Sequence, residues 1–558
     1  MAESKSIPKT TMPRAQKLVD QYAILKGDRS NFESYWQTLH DYFYIEAQDV
    51  NKSYHPGTEL SVDYLFDSTT IEAADTLASG FMNYLTPPTS KWSKLRHRNP
   101  GLQENKAVAT YLEDVMDEVH YTLNRSNFYD QMFSSYKSSG VYGTSIILEE
   151  EDVEDEARFY NIPVKNVCLV EDGRGRVTAY YIEFEYTAAQ AAGKWGEKAL
   201  SDKMKEELRS EKLSTKKHPF ILYIAERHAR EIQKDDNKNL PIEAVWIDST
   251  AKITMDESGY NEFPAFAHRF DKRPFIPWGY SPAMKSLPFA RILNAAAKTN
   301  LRAMMKRTDP PIAVPDNAFV MPFNANPRAV NYYNKNKMAG GSKDIFAFAN
   351  FGDPQMGMAA IEYYSQKVKS LMFSDVFLAF DNITKQMNNP EVAERINEKM
   401  TMLGPAVGRY IAEMLNPVII RTIGILHRRG KLPEAPDEVR QDPSYEIDSI
   451  SQLAQIQRRS EFNALMSGVS VVGNLAPLYP GALDKLDSDK VIDEAWNILG
   501  APAKALRDEK EVNDQREAQA QAEQAQAAVE TAQAQAGAMK DASSADLNTA
   551  KANEANRQ

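Results

Sequence analysis

Residues 282–316 read PAMKSLPFARILNAAAKTNLRAMMKRTDPPIAVPD, and the rest of the chain is organised around them. Ile292, Leu293, Ala296, Leu301 and Met304 recur at helical spacing, so Leu287 to Lys306 is expected to be a helix with these residues available for packing. Asp309-Pro310-Pro311 ends it, because proline lacks a backbone donor and pushes its predecessor out of helical geometry. Opposite the apolar residues, Arg291, Lys298, Arg302 and Lys306 follow one another at spacings of seven and four, which makes a basic stripe. Taken alone this is a solvated face. Only repetition around an assembly would turn it into a ring of cations facing a polyanion.

Working outward, residues 309–355 are rich in Pro, Asn and Gly, with short apolar pieces such as PIAVP and DIFAFANF. They read as a small loop-rich subdomain with short strands, and its Lys335, Lys337 and Lys343 carry the same solvated reading as the stripe. A helix is expected from about Ala359 to Phe380, followed by the polar DNITKQMNN. Asn389 and Pro390 then open a long helix with Val392, Ile396, Met400, Leu403 and Val407 on one side, kinked by Pro405 and Pro417 and stopped by Gly430 and Pro433. Upstream, residues 141–270 form a β-rich insertion. VTAYYIEFEY (Val177 to Tyr186) alternates at period two after the turn sequence EDGRG, which predicts a hairpin. Thr187 to Gln190 has capping-box spacing. Further strands are expected at Phe220 to Ala225, Ala244 to Asp248 and Lys252 to Met255.

The opening segment is helical. Leu18, Tyr22, Leu25, Phe32, Trp36, Leu39 and Phe43 mark one amphipathic face, with a break into two helices expected at Gly27-Asp28. A second helix spans Ser68 to Leu85 and stops at Pro87-Pro88. Two more lie between Leu102 and Ser139, the later one with Asn127 as N-cap. At the other end, Ser449 to Leu499 has helical spacing with turns at Gly473 and Pro480-Gly481. From Pro502 the chain is dominated by Ala, Gln and Glu, residues that favour helix yet bury little area, so both a helix with close neighbours and a disordered tail are open.

The 558 residues carry 66 Lys plus Arg against 77 Asp plus Glu, a formal net charge of -11, and 42% are hydrophobic. That length and apolar content support several packing units. The acidic balance argues against a general nucleic-acid binder, which needs a basic face to displace counterions, though local basic stripes stay compatible with it. One cysteine, Cys168, cannot close an internal disulfide, and a reducing cytoplasm is expected. Neither a signal peptide nor a membrane-spanning segment is expected.

Tests for catalytic chemistry come out negative. A phosphate-cradling loop would need glycine at position 188 and Ser or Thr at 195 around Gly193-Lys194, but the chain has Ala188 and Trp195. The eight histidines never fall three to five residues apart, which excludes helix-borne zinc pairs. Gly173 to Arg176 sits in the hairpin turn. The acidic run Glu149 to Asp152 could be read as a nuclease metal cluster, and a solvated strand end is the expected state. No catalytic residue, cofactor or metal ligand is assigned.

Three stretches together resemble the head-to-tail connector, or portal, proteins of short-tailed bacteriophages. ASGFMNYLTPPTSKWSKL (Ala78 to Leu95) is similar to the family's helix, double proline and tryptophan block. Trp278 to Asp316 resembles its aromatic-Gly-x-Ser-Pro, Leu-Pro, Leu-Asn and Asp-Pro-Pro series. Asn388 to Pro436 resembles its Glu-Val, Leu-Gly-Pro and Gly-x-Leu-Pro block. The resemblance covers roughly Arg14 to Pro436.

It implies a mixed α/β, helix-dominated portal fold assembled as a ring of twelve around a channel. In sequence order it implies a flexible N-terminus (1–13), a wing (14–283), stem helices (284–306 and 359–380) around a clip (307–358), and a channel loop (381–389). A second wing portion (390–448) carries the long kinked helix, followed by a crown (449–501) and an Ala/Gln-rich tail (502–558) that is a helical barrel or disordered. The implied role is a non-enzymatic conduit for double-stranded DNA at one capsid vertex, in the virion and, during assembly, the host cytoplasm. The implied partners are the major capsid protein, scaffolding protein, terminase large subunit, tail adaptor and tail proteins, and internal core proteins, with no membrane. Candidate channel residues are Arg291, Lys298, Arg302, Lys306, Lys385, Gln386, Asn388 and Asn389; Lys335, Lys337 and Lys343 are candidates for terminase or adaptor docking. The competing readings are a DNA-processing enzyme, such as a nuclease or terminase subunit, and a monomeric scaffold or adaptor recruiting partners through its tail. The first lacks nucleotide and metal motifs, and the second lacks sustained heptads.

Overall fold

The computed structural model describes residues 13–47, 50, 62–103, 105–209, 216–230, 236–308, 312–313, 346–347, 354–378, 402–450, 452–475, 477, 479, 481, 486–499 and 509–555. They fall into two compact units, one drawn from 1–94, 115–432 and 447–466, the other from 95–114, 433–446 and 467–558.

In the first unit, α1 (Arg14–Phe43) is one unbroken helix rather than the two expected around Gly27-Asp28. Its buried face runs straight through that point. Leu18, Tyr22, Arg29, Trp36, Leu39 and Phe43 are all buried, and the Arg29 guanidinium donates to the Val167 carbonyl at 2.7 Å. This face covers a five-stranded antiparallel sheet made of β3 (Val167–Glu171), β4 (Val177–Thr187), β5 (Lys217–Glu226), β6 (Ile242–Asp248) and β7 (Ile253–Tyr260), in that order, and a three-stranded sheet joins it in the same unit. Ala15, Leu18 and Tyr22 pack with Cys168, Tyr181, Ile221, Val245 and Ile247 in one apolar cluster. The β3–β4 turn is the expected hairpin: the Asp172 carboxylate accepts from the backbone N–H groups of Arg174 and Arg176, both at 2.8 Å, and Gly175 takes φ +78°, where a side chain would be strained. After β4 the Thr187–Gln190 capping box forms with both reciprocal bonds and opens α5 (Ala188–Trp195).

The smaller sheet is built from β1 (Thr144–Asp152), flanked by β2 (Glu156–Ile162) and by β8 (Ala265–Arg269). α2 (Thr69–Leu85) and α4 (Phe128–Tyr142) lie in the same unit; between them in sequence runs α3 (Lys106–Arg125). Asn127 stands at the expected cap position of α4 but makes no cap. Its amide donates to the Phe159 carbonyl at 2.8 Å and accepts from the Phe159 N–H at 2.9 Å, pairing with β2 like a further piece of strand.

The long helix is described from Met402. Between Pro405 and Pro417 it widens into a π-helical turn, Ile411–Leu415, and continues as a helix over Asn416–Arg428. Pro417 cannot donate to the Glu413 carbonyl, and a wider turn accommodates that missing bond. Gly430, with φ +64°, closes the helix with bonds from Gly430 N–H to the His427 carbonyl (3.0 Å) and from Lys431 N–H to the Leu426 carbonyl (3.0 Å).

Two buried polar groups border this helix. Beside the π-turn, Arg269 donates to Glu413 at 2.6 Å and contacts Glu171, which Lys272 also holds at 2.8 Å. Neighbouring His268 is fully buried, lies 3.9 Å from the Tyr410 ring centre, and has no hydrogen-bond partner at either ring nitrogen. Burial first, then Arg409 and Arg269, push its pKa well below 6.5. Further along, Glu149, expected at a solvated strand end, is fully buried against Thr422 and Arg421, and burial pushes its carboxyl up to about 8.

In the second unit, the Ala/Gln-rich tail is a 47-residue helix, Glu509–Ala555, and Arg516 pairs with Asp489 of the helix Ser488–Leu499 at 2.6 Å. Gly473, expected to mark a turn, lies inside the helix Gln452–Leu475.

Candidate nucleic-acid interface

The helix that carries the stripe, α6, spans Pro282–Thr308. Ser281 caps it by accepting from the Met284 N–H at 3.0 Å while donating to the Val141 carbonyl at 2.6 Å, and Pro282 suits the first helical position, where no N–H is needed. Pro288 leaves the Met284 carbonyl without its helical donor. The hydroxyl of Tyr35, on α1, fills that vacancy at 3.2 Å. Burial raises the Tyr35 pKa, and the charge of nearby Arg291 works against that rise.

The base of α6 is buried through Ala283, Met284, Leu287, Ala290 and Leu293, but beyond Leu293 the only buried residue of the helix is Asn300. Its partner there is α7 (Pro354–Leu371). Gly357 permits the approach, since a β-carbon at that position would lie 2.5 Å from Asn300 Oδ1. Phe289 and Tyr364 meet on the same side, with ring centres 6.5 Å apart. Phe289 and Asn300 are three turns apart and mark the face of α6 that meets α7. At 3.6 residues per turn, Arg291, Lys298 and Arg302 lie on the opposite face, with Lys306 a little to one side.

Two expectations need correction. Ile292, Leu301 and Met304 were expected to pack, and in the chain they stay 42–45% exposed, with Met305 at 59%. Among the described residues, these side chains are not covered by another element. On α7, Met356, Met358 and Tyr363 are likewise exposed. The second helix was expected from Ala359 to Phe380, yet it starts at Pro354 and breaks after Leu371, where Phe373 adopts φ +59° and turns the chain. That turn brings Phe377 onto Gly80, which has no side chain to obstruct the ring.

Of the stripe residues, Arg291, Arg302 and Lys306 are exposed. Lys298 is half-buried: its ammonium sits 5.0 Å from the Phe66 ring centre. One turn earlier, the Asn294 amide accepts from the Phe66 N–H at 2.7 Å and donates to the Tyr64 carbonyl at 2.9 Å. Residues 64–66 are thereby clipped along α6, and Lys298 is a brace for that clip as well as a cation. Its half-engaged state has no local signature, because the partner segment lies more than 200 residues away. The sequence reading also passed over Arg307, exposed beside Lys306 at the helix C-terminus, where the helix dipole favours positive charge. The remaining candidates, Lys335, Lys337, Lys343, Lys385, Gln386, Asn388 and Asn389, lie outside the described residues. Within 309–355 the described pieces are Ile312–Ala313 and Phe346–Ala347, paired antiparallel, and the first residues of α7.

Chemically, the described face offers multiple cations. Among the described residues there is no group of three or more His, Cys, Asp or Glu placed to hold a metal ion, and no helix is long and apolar enough to cross a membrane. Such a face can attract phosphates.

Comparison with known proteins gives the assignment. The chain is 30% identical to the portal protein of Salmonella phage epsilon15 over 529 residues, covering 91% of this chain and 92% of that protein. It is 28% identical over 492 residues to the "Probable portal protein" of Bordetella phage BPP-1, covering 87% of each. Among solved structures, a chain from the virion of a native gene transfer agent particle aligns at a TM-score of 0.34 and 12% identity, over 80% of this chain and 94% of that one. One from the neck of an empty gene transfer agent particle aligns at 0.36 and 11%, over 78% and 90%. The family described as bacteriophage head to tail connecting protein matches residues 15–506, and this chain belongs to that family.

Proposed function

We propose that the chain assembles as a ring, of twelve copies by analogy with its family, at one capsid vertex, and that double-stranded DNA passes through the ring during packaging and ejection. In this reading residues 284–306 of α6 and 359–380, which include most of α7, form the stem, residues 307–358 the clip, 381–389 a loop in the channel, 449–501 the crown and the 509–555 helix part of a barrel. The clip docks the terminase large subunit and later the tail adaptor, while scaffolding and major capsid proteins meet the ring from outside. The protein has no catalytic role in this scheme, and a partner supplies the energy for packaging.

The observation that carries the reading is the distribution of side chains on α6. Cations occupy the face turned from α7, while Leu301, Met304 and Met305 to one side and Ile292 to the other are left in water. Neighbouring copies would cover both apolar flanks, and the cations would then repeat as rings. Sparse rings on an acidic protein suit a sliding polyanion, since each fixed phosphate contact adds affinity and slows passage.

Electron microscopy of the purified chain tests the assembly: a ring of about twelve copies around an open channel is expected, and a monomer at assembly-relevant concentration overturns it. Neutralising Lys298, Arg302 and Lys306 together should leave ring formation intact and alter DNA retention or passage. Unchanged packaging and retention would mean that the stripe faces away from DNA.

A further inference from the structure

The carboxyl group of Glu149 projects from the middle of β1 and is fully buried against the helix Asn416–Arg428. Its Oε1 lies 2.9 Å from the Thr422 hydroxyl, and that hydroxyl also lies 2.9 Å from the Val418 carbonyl one turn back. A hydroxyl has one proton to give, and a carbonyl has none. With the threonine proton on Val418, the second contact closes only if the carboxyl itself is the donor. The other oxygen, Oε2, is buried without a partner, which is a modest cost for a neutral acid and a severe one for a carboxylate.

Arg421 completes the argument. It is fully buried beside Glu149, yet its guanidinium turns to backbone, donating to the Glu149 and Glu262 carbonyls at 3.1 Å each. The carboxylate it pairs with is that of Glu262, at 3.7 Å. The remaining guanidinium nitrogen, Nη2, is buried without a partner and makes no hydrogen bond to the Glu149 carboxyl.

We propose that Glu149 is a neutral carboxylic acid that donates to Thr422, and that this proton latches the helix after the π-turn onto the three-stranded sheet and is released in mildly alkaline solution. The surroundings set the direction. From the helix come Arg421 and Arg428; from the end of β7 comes Tyr260, whose ring lies 5.0 Å from the Arg421 guanidinium; from the segment leading to β8 comes Glu262; from β1 come Glu150 and Glu151. Across the β1–β2 pair stands Phe159, without charge. Arg428 already bridges Glu262 and Glu151 at 2.8 Å each. Burial, the largest influence, together with Glu262 and Glu151 outweighs the opposing pull of Arg421 and Thr422 and pushes the Glu149 carboxyl up to about 8.

The test is infrared spectroscopy of the full chain, as a monomer or ring, across pH 5 to 10, with hydrogen exchange read on residues 416–428. A protonated-carboxyl band should be present at neutral pH, fall to half near pH 8 and be absent in Glu149→Gln. Exchange protection of the helix, corrected for the intrinsic pH dependence, should drop about tenfold between pH 7 and 9 in the natural chain and stay constant in Glu149→Gln, whose amide donates to Thr422 at every pH. A band missing at pH 7, a band that survives Glu149→Gln, or a protection loss shared by that variant would overturn the proposal. Should Glu149→Gln fail to fold, Thr422→Val decides instead: removing the acceptor should move the band to higher frequency, and an unmoved band refutes the pairing.

Discussion

Replacing Arg269 by methionine probes the contact that ties the π-helical turn to the β3–β4 hairpin. The arginine side chain is 4% exposed and joins Glu413 and Glu171, which are 20% and 11% exposed. Removing one member of a buried ion pair costs ~3–5 kcal/mol, because the other charge is left without a partner. Two compensations place this case at the low end. Glu171 keeps Lys272 at 2.8 Å, and Glu413 keeps the backbone N–H of residue 269 at 3.0 Å. About 3 kcal/mol is therefore expected, equivalent at ~2.1 cal/mol/K of unfolding entropy per residue to a fall of roughly 3–4 °C in the unfolding temperature of a unit this large. Thermal unfolding followed by tryptophan fluorescence at one fixed scan rate reads the shift, since Trp36, Trp246 and Trp278 all lie in this unit. Hydrogen exchange over 411–416 should rise in parallel, and Glu413→Gln combined with Arg269→Met should cost less than the sum of the two. A shift below about 2 °C, or strict additivity, would refute the claim that this pair holds the turn.

Other expectations concern α6. Gly357→Val should open the α6–α7 seam, because its β-carbon would meet Asn300 at 2.5 Å; about 1–3 kcal/mol of destabilisation is expected, checked by thermal unfolding against Gly357→Ala as the smaller step. Asn294→Ala removes two bonds to the 64–66 backbone and should cost about 1–2 kcal/mol. Its distinguishing readout is faster hydrogen exchange confined to residues 62–68, with ring formation unchanged.

What could be read from the sequence was what the chain decides locally. The EDGRG turn, the Thr187–Gln190 capping box, the helix stop before Pro87-Pro88 and the Gly430 helix end each depend on residues within one turn of one another, and each is found. The helical spacing of 14–43 was legible too, but the break at Gly27-Asp28 was not a safe inference. Arg29, two residues on, is anchored by a carbonyl 138 residues away. Asn127 behaves the same way: its composition suits a cap, and a distant strand claims its amide. Glu149 shows the larger gap. An acidic run looks solvated until Thr422 and Arg421 are brought to it by the return of the long helix, and no window of sequence contains both ends. On α6 the stripe was legible by period, whereas the exposure of Leu301, Met304 and Met305 depends on which elements lie alongside.

Glu149 and His268 together predict the shape of the stability profile against pH. Both are fully buried, and both are held neutral, at opposite ends of the stretch from the π-turn to Thr422. For Glu149 the folded value lies above the ordinary 4.5, so the folded state holds a proton that the unfolded chain has lost, and stability falls as pH rises from about 4.5 to about 8. For His268 the folded value lies below 6.5, so the unfolded chain takes the proton first, and stability falls as pH drops below about 6.5. Each slope is ~1.4 kcal/mol per pH unit. Just below pH 6.5 they have opposite sign and cancel, which leaves a plateau there and a decline above it. Other groups titrate as well, so the informative quantity is the difference between chains. His268→Phe should convert the plateau into a steady loss with rising pH, while Glu149→Gln should make stability rise to pH 6.5 and then level off. Unfolding temperatures of the three chains from pH 4 to 9 give both differences, and parallel curves would show that neither group is held neutral by the fold.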